Sequence, residues 1–405
     1  MSTQKILLSM GTRPEIIKML PVYFELKRRN VQPVLLHTGQ HSDMADSLYD
    51  LFGVTPDYSI DLDRTQSTTA NGNEKASDLA VLSSLLLHKI SAVTMEVNPS
   101  MVLVHGDTSS ALMGAMAAFY QKIPVAHVEA GLRSHNAYDP FPEEKNRVLI
   151  AQLAKWHFAP SARAKQNLLS EGVAESDIYM VGNTIVEAAR MGAKKLLEHK
   201  NKIQGTESDL VDQLSSRTES HKIVMVTVHR RENQERNNIQ SIAQAIVELL
   251  KKHDDMIVVW AVHPNPKVKE VVHKSFANLQ ADISSRLHLT EPLSYPVLLW
   301  VLKNSWMALT DSGGIQEEAV ALNTPVLVLR DTTERQEIIE VGAGKLIGTE
   351  KNNIIAEVNS LRTNVDMYNA MCNAENPFGD GTTADSICNI LLKKKLKEVT
   401  YANAA

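Results

Sequence analysis

Ile6-Leu7-Leu8-Ser9-Met10-Gly11-Thr12-Arg13-Pro14-Glu15-Ile16-Ile17-Lys18 carries the local pattern on which the architecture of the whole chain is built. Ile6–Met10 is a short, mostly apolar run of the length and composition of a strand covered on both faces. Gly11 breaks it. Pro14 then falls where the first turn of a helix tolerates proline, and Ile16, Leu20, Tyr23 and Phe24 follow at helical spacing. A buried strand, a glycine turn and a helix, in that order, make the opening half of a βαβ unit.

The same rhythm recurs outward from this stretch. In the first half the apolar runs are Ile6–Met10, Val34–His37, Met101–His105, Val125–Val128, His157–Ala159 and Ile178–Val181. In the second half they are Ile223–Val228, Ile257–Val262, Leu287–Leu289, Met307–Leu309 and Val326–Leu329. Short buried strands alternating with helical patterns imply parallel sheets wound on both faces, an α/β architecture. A chain of 405 residues is too long for one ordinary core, so two such Rossmann-like domains are expected. Lys194–Lys222 is polar and rich in Lys, Glu and Ser, and reads as the link between domains plus a surface helix. Asp61–Lys75, with Asn71-Gly72-Asn73 inside it, reads as a long surface loop. Lys393–Lys395 reads as a solvated helix face, and the chain shows no internal repeat beyond its α/β rhythm.

Composition narrows the function. Hydrophobic content of 43% and charged content of 22% are those of a globular protein, not of a disordered chain. A net charge of −5 argues against a general nucleic-acid or membrane-surface partner, which would need surplus Lys and Arg. The two cysteines, Cys372 and Cys388, have no metal-ligand spacing and read as reduced thiols. Ile6–Met10 is too short for a signal-peptide core, and no run reaches the roughly 18 apolar residues that a bilayer crossing needs. The expected location is the cytoplasm.

Ligands in open α/β sheets bind beyond the carboxyl ends of the strands. The residues that follow the predicted strands are Arg13, Gln40-His41, Asp107, Glu129, His229-Arg230-Arg231, His263, Asp311-Ser312 and Arg330-Asp331. Thr310-Asp311-Ser312-Gly313-Gly314-Ile315-Gln316-Glu317-Glu318 is the sharpest local motif. A strand ends, two glycines admit a ligand to the backbone, and a helix starts with its N–H groups outward, which suits a diphosphate. Glu318, about one turn in, is placed to accept both hydroxyls of a ribose. The plainer reading is a tight turn with Ser312 as a cap. The motif is neither G-x-G-x-x-G nor a Walker loop, so no nicotinamide or ATP chemistry is implied.

Arg13, Lys18 and Arg335 are candidate phosphate-directed cations, Arg being favoured because its planar fork matches phosphate oxygens. The acid–base candidates are Asp107, Glu129 and Glu143, with His229 from the second domain. Carboxylates crowded together raise one another's pKa, which readies one as an acid. The plainer alternatives are that Glu129 pairs with Arg133 and that Asp107 caps the helix beginning at Thr108. His105, His127 and His157 lie within strands and read as core histidines. No metal site and no cofactor are expected.

Taken in order, the blocks GTRPEIIKM at Gly11–Met19, VLVHGDT at Val102–Thr108, HVEAGLR at His127–Arg133, PEEKNR at Pro142–Arg147, HRREN at His229–Asn233, TDSGGIQEEA at Thr310–Ala319 and RDTTER at Arg330–Arg335 resemble the non-hydrolysing UDP-N-acetylglucosamine 2-epimerase family. The likeness reaches Asn376-Pro377-Phe378-Gly379-Asp380-Gly381. It implies a glycosyltransferase-B-like fold with domains at 1–185 and 186–375, a closing segment at 376–405 that packs back on the first domain, and an active site in the interdomain cleft. It implies reversible interconversion of UDP-N-acetylglucosamine and UDP-N-acetylmannosamine, by anti elimination of UDP to 2-acetamidoglucal and re-addition, supplying surface polysaccharide synthesis. By position it makes Asp107, Glu129 and Glu143 the proton-transfer set, with His229 supporting the departing diphosphate. Arg13, Lys18, His229, Ser312, Gly313, Gly314, Glu318 and Arg335 would hold UDP. Gln40, Arg64, Glu143, Arg230 and His263 match a second UDP-N-acetylglucosamine site for an activator, and a homodimer is implied.

The chain departs from that pattern at Gln336, where a proline is usual, and at Leu298, where an aromatic often meets uracil. Pro292-Leu293-Ser294-Tyr295 lacks a Gln-Glu common before the Tyr. A hydrolysing relative would begin Gly-Ser-Arg-Ala-Glu where this chain has Gly11-Thr12-Arg13-Pro14-Glu15. A glycosyltransferase of the same fold would need an acceptor pocket and would leave three carboxylates surplus, and a non-catalytic UDP-sugar sensor would bind without exchange at C2.

Overall fold

Each of the apolar runs above is a strand in the computed structural model, which describes residues 5–40, 45–62, 78–199 and 205–402. The strands are β1 (Lys5–Met10), β2 (Gln32–His37), β3 (Tyr58–Ser59), β4 (Met101–His105), β5 (Val125–Val128), β6 (Trp156–Ala159), β7 (Ile178–Met180), β8 (Lys222–Thr227), β9 (Met256–Ala261), β10 (Leu287–Thr290), β11 (Met307–Thr310), β12 (Val326–Val328) and β13 (Gly344–Leu346). Two were not read from the sequence. β3 and β13 are edge strands of two and three residues, too brief for a hydrophobic pattern to register.

Among the described residues the strands form two sheets, β3-β2-β1-β4-β5-β6-β7 and β10-β9-β8-β11-β12-β13, and every pairing is parallel. The order reverses beside β1 in the first sheet and beside β8 in the second, the switch points at which doubly wound sheets bind ligands. The chain separates into two compact units, Met1–Ala188 with Phe378–Ala405, and Ala189–Pro377. Each has its own core. Leu7, Val34, Leu36, Val102 and Val104 lie in the first, and Val224, Val226, Val258, Trp260, Met307 and Leu309 in the second.

The helix after β1, Arg13–Arg28, starts with Pro14 in its first turn and buries Ile16, Leu20 and Tyr23. The last helix, Thr383–Ala402, packs against it within the first unit. Arg29 reaches Asp385 at 2.6 Å and Asn389 at 2.8 Å, while Ile387, Cys388 and Leu391 are wholly buried. Both cysteines are free thiols. The polar stretch from Lys194 begins inside the helix Ile185–His199 and holds the helix Thr206–Ser215, whose Leu210, Val211 and Leu214 are buried. One expectation is corrected. The helix Asp78–Val97 is long and apolar enough, by length and composition, to cross a membrane. Here it lays Leu82, Leu86, Ile90 and Val97 into the first core against the helix Ser109–Tyr120. Of the Asp61–Lys75 loop only Asp61 and Leu62 fall within the described residues.

Candidate functional site

In the first unit the loops after β1, β4, β5 and β7 gather a set of carboxylates. Glu129 follows β5 with a left-handed backbone, φ 62°, a conformation that costs a non-glycine residue roughly 1–3 kcal/mol and persists only where its surroundings enforce it. Its carboxylate is ion-paired with the buried Lys18 ammonium. Asn183, after β7, donates its side-chain N–H to the same oxygen at 2.6 Å, and His105 Nε2 lies 3.7 Å away. A Cβ on Gly106 would stand 3.9 Å from Glu129 Oε1, so this carboxylate lies against the residue that precedes Asp107.

Asp107 is held from the other side. Arg147 grips its Oδ2 through Nε at 2.8 Å and Nη2 at 2.6 Å, and Asn146 donates to its carbonyl at 2.8 Å. Arg147 also reaches Glu144 at 3.0 Å, and Glu144 accepts the backbone N–H groups of Ser134 and His135. Glu143, half-buried, begins the helix Glu143–Leu153, and its carboxylate makes no hydrogen bond or ion pair among the described residues. Both plainer alternatives are excluded. Arg133 pairs with Glu171 at 2.6 Å instead of Glu129, and the helix after Asp107 is capped by Thr108, which accepts from Ala111 N–H.

The three strand histidines are buried. Burial drives His127 down to about 3 and His157 down to about 4, so both are neutral at physiological pH. His127 Nε2 and the Gly106 carbonyl are 2.7 Å apart, which fixes the backbone just before Asp107. Lys18 was expected to face phosphate. Its ammonium pairs with Glu129, and Arg13 stands half-buried at the start of the same helix.

The second unit builds its site differently. β11 ends at Thr310, and the helix Gly313–Ala321 begins two residues later. Ser312 makes no side-chain capping bond, so the capping-serine reading of this turn fails. A Cβ on Gly314 would meet no atom within 4 Å, and one on Gly313 would first meet the Arg335 guanidinium carbon, at 3.6 Å. Arg335 is held there by the buried Glu317, which accepts from its Nε at 2.5 Å. Thr333 ties the Arg335 loop to the same helix through Gln316 at 2.9 Å, and Gln336 closes the turn by donating to the Thr333 carbonyl at 2.9 Å. Glu318 is buried on this helix, and Leu298 is buried in its own.

Asp311 was read as a strand-end candidate, and the structure makes it a brace. It is wholly buried and accepts the backbone N–H groups of His229 at 2.8 Å and Arg230 at 3.0 Å, and the Asn233 amide at 3.0 Å. The β8 loop is thereby fastened to the end of β11. His229 is exposed and meets His263 edge-on, with ring centroids 5.8 Å apart. Arg230 leans on Glu334 at 3.3 Å. Gln40, in the first unit, accepts from Ser110 N–H at 3.0 Å and Ser110 Oγ at 2.8 Å. His41 and Arg64 lie outside the described residues, as does the Arg231 side chain.

Four participants were missed from the sequence. Asn183 follows β7, and its bond to Glu129, distant in the chain, leaves no local mark in the sequence. Glu15 accepts from Gly11 N–H, Thr12 N–H, Thr12 Oγ1 and Thr108 Oγ1, and its signal was the Thr-x-x-Glu spacing of a capping box. Arg147 and Glu317 stood inside quoted blocks without a role.

A family model for UDP-N-acetylglucosamine 2-epimerase matches residues 25–392. A UDP-N-acetylglucosamine 2-epimerase of Salmonella borreze is 39% identical over 388 residues, covering 95% of this chain and 97% of its own. The crystal structure of the UDP-GlcNAc 2-epimerase of Neisseria meningitidis bound to UDP-GlcNAc is 37% identical, covers 96% of this chain and 100% of its own, and matches with a TM-score of 0.81. That of Methanocaldococcus jannaschii in complex with UDP-GlcNAc and UDP is 33% identical over 96% of this chain and 99% of its own, with a TM-score of 0.71.

Proposed function

This chain belongs to the UDP-N-acetylglucosamine 2-epimerase family, and on that premise we propose that it converts UDP-N-acetylglucosamine reversibly to UDP-N-acetylmannosamine through 2-acetamidoglucal. In the forward direction a carboxylate takes the C2 proton while the C1–O electron pair leaves with UDP and a C1=C2 double bond forms. The return step adds the UDP oxygen to C1 on the same face and delivers a proton to the opposite face of C2. A C2 proton is weakly acidic, so its removal must proceed together with stabilisation of the departing diphosphate.

The observation that carries this reading is the convergence in the first unit: Glu129 against Gly106, Asp107 gripped by Arg147, and Arg147 shared with Glu144 beside Glu143. Three separately placed carboxyl groups give a proton donor and a proton acceptor for the two faces of one carbon. Lys18 and Asn183 hold the Glu129 carboxylate in place, as suits a base or a charge that steers one. In the second unit the helix start at Ser312, Gly313 and Gly314, with Arg335 over it, suits the diphosphate. His229 and Arg13 add donors to that charge, and Glu318 takes the ribose. The reading asks both sets of residues to act on a single substrate molecule. Water must be excluded while they do, or the glucal is lost.

Incubation with UDP-N-acetylglucosamine in D2O, followed by NMR, tests it. Deuterium appearing at C2 with both epimers present and no free sugar is the expected result. Release of free N-acetylmannosamine would instead mean a hydrolysing enzyme, and intact substrate with no C2 exchange would mean a transferase or a sensor.

A further inference from the structure

One carboxylate in the first unit makes more bonds than helix capping needs. Glu15 is 1% exposed, and its Oε2 accepts from Gly11 N–H at 3.0 Å, Thr12 N–H at 2.8 Å and Thr12 Oγ1 at 2.8 Å. Those bonds close the cap of the Arg13–Arg28 helix. Its other oxygen leaves that element altogether and accepts from Thr108 Oγ1 at 2.8 Å. Thr108 in turn caps the helix that follows Asp107, accepting from Ala111 N–H at 2.9 Å.

A capping box at a helix start ordinarily uses a solvent-facing glutamate, for which ionisation is free of desolvation cost. Here the carboxyl is buried, and burial pushes it up to about 7. Capping alone gives no reason to bear that cost; joining two loops does. The neighbourhood has a second fastener of the same kind. A Cβ on Gly11 would fall 1.9 Å from Thr38 Oγ1 and 2.5 Å from Ser110 Oγ, so the β1 loop lies directly on the end of β2 and the start of the helix after β4. Thr38 and Ser110 are themselves hydrogen-bonded at 2.6 Å.

We propose that Glu15 is a positioning residue that locks the loop carrying Arg13 to the loop carrying Asp107, so that diphosphate contact and proton transfer keep one register. The proposal rests on the epimerase reading. A misplacement of about 1 Å between reacting groups lowers turnover about a hundredfold, so a bond of this kind is worth more to rate than to binding.

The test uses the full chain, with C2 exchange in D2O giving kcat and calorimetric titration giving UDP affinity. Thr108→Val removes the hydroxyl at constant shape and Thr108→Ser keeps it. Glu15→Gln preserves size but presents an acceptor at only one end. Expected results are a fall in kcat of about ten- to a hundredfold for Thr108→Val and for Glu15→Gln, with UDP affinity for Thr108→Val held within about twofold. Thr108→Ser should retain the unsubstituted rate. Combining Glu15→Gln with Thr108→Val should cost clearly less than the product of the single changes, because each breaks the shared link in addition to its own helix cap. Multiplying effects in the double variant, a Thr108→Ser as slow as Thr108→Val, or losses that track the folded fraction would overturn the proposal. Unaffected variants of a protein that does exchange C2 would sink the coupling alone, whereas no exchange in the unsubstituted protein would remove the functional reading and the coupling with it.

Discussion

The first unit positions its functional groups with side chains, and the second does so with backbone. Around β4 and β5, Glu129 is set by Lys18 and Asn183, Asp107 by Arg147, and the loops between them by Glu15 and Ser110. Around β8 and β11 the organising carboxylates, Asp311 and Glu317, are themselves buried: Asp311 receives mainly backbone N–H groups, and Glu317 aims the single Arg335 at a pair of glycines. The difference follows from the tasks. Moving protons needs ionisable groups whose charge is tuned by neighbours, whereas an anion is held well by uncapped helix N–H groups and a guanidinium.

The strongest way to break this contrast is to neutralise one side-chain-tuned group without changing its shape. Asp107→Asn keeps the size and hydrogen-bonding capacity opposite Arg147 but cannot move a proton. Turnover should fall by about two to four orders of magnitude, the worth of a positioned acid or base, while the melting profile and UDP affinity stay near those of the unsubstituted protein. Near-normal C2 exchange would take Asp107 out of the chemistry and reduce its contact with Arg147 to an ordinary ion pair.

The glycines sharpen the contrast further, because each unit uses them for a different purpose. Gly11 is packed: its Cβ would overlap Thr38 and Ser110. Gly11→Ala should therefore destabilise the fold by about 1–3 kcal/mol, through overpacking. Gly314 is open, in the first turn of its helix, with no atom within 4 Å of an added Cβ. Gly314→Ala should leave stability unchanged or raise it by up to about 1 kcal/mol, since alanine is the better helix former. It should weaken UDP binding by about tenfold, because the methyl group stands where phosphate must approach the N–H groups. Equal loss of stability in the two variants, or full UDP affinity in Gly314→Ala, would end the distinction.

The second unit was also the more legible in sequence. A strand, Asp-Ser-Gly-Gly and a helix are local, so Thr310–Glu318 announces its geometry without tertiary information. The scaffold was legible for the same reason, since eleven of the thirteen strands among the described residues are short apolar runs; β3 and β13, at the sheet edges, are not. What the sequence withheld was pairing. Lys18 and Glu129 are far apart in the chain, as are Glu15 and Thr108, and neither spacing nor composition says which cation takes which anion. Lys18 was accordingly read toward phosphate and Asp311 toward ligand, with no sign of the Glu129 carboxylate that pairs with the one or of the His229 N–H that bonds the other. Glu15 was missed as well: its Thr-x-x-Glu spacing is the mark of a helix cap, and nothing in it shows the bond to Thr108.

Side-chain tuning also leaves a pH signature. Burial raises the Glu15 carboxyl from its ordinary 4.5 to about 7. Between those values the folded chain holds a proton that the unfolded chain has released, so stability falls as pH rises across that window. The contribution is fully present below 4.5 and gone once pH has passed about 7. Glu15→Gln has no such proton to lose. Stability of the unsubstituted protein relative to Glu15→Gln should therefore decline by up to about 3 kcal/mol between about pH 5 and about pH 8, read from urea unfolding of both proteins at each pH. A difference that stays flat across that range would mean the four hydrogen bonds to Glu15 outweigh its desolvation, leaving it ionised throughout and the first unit's loop insensitive to neutral pH.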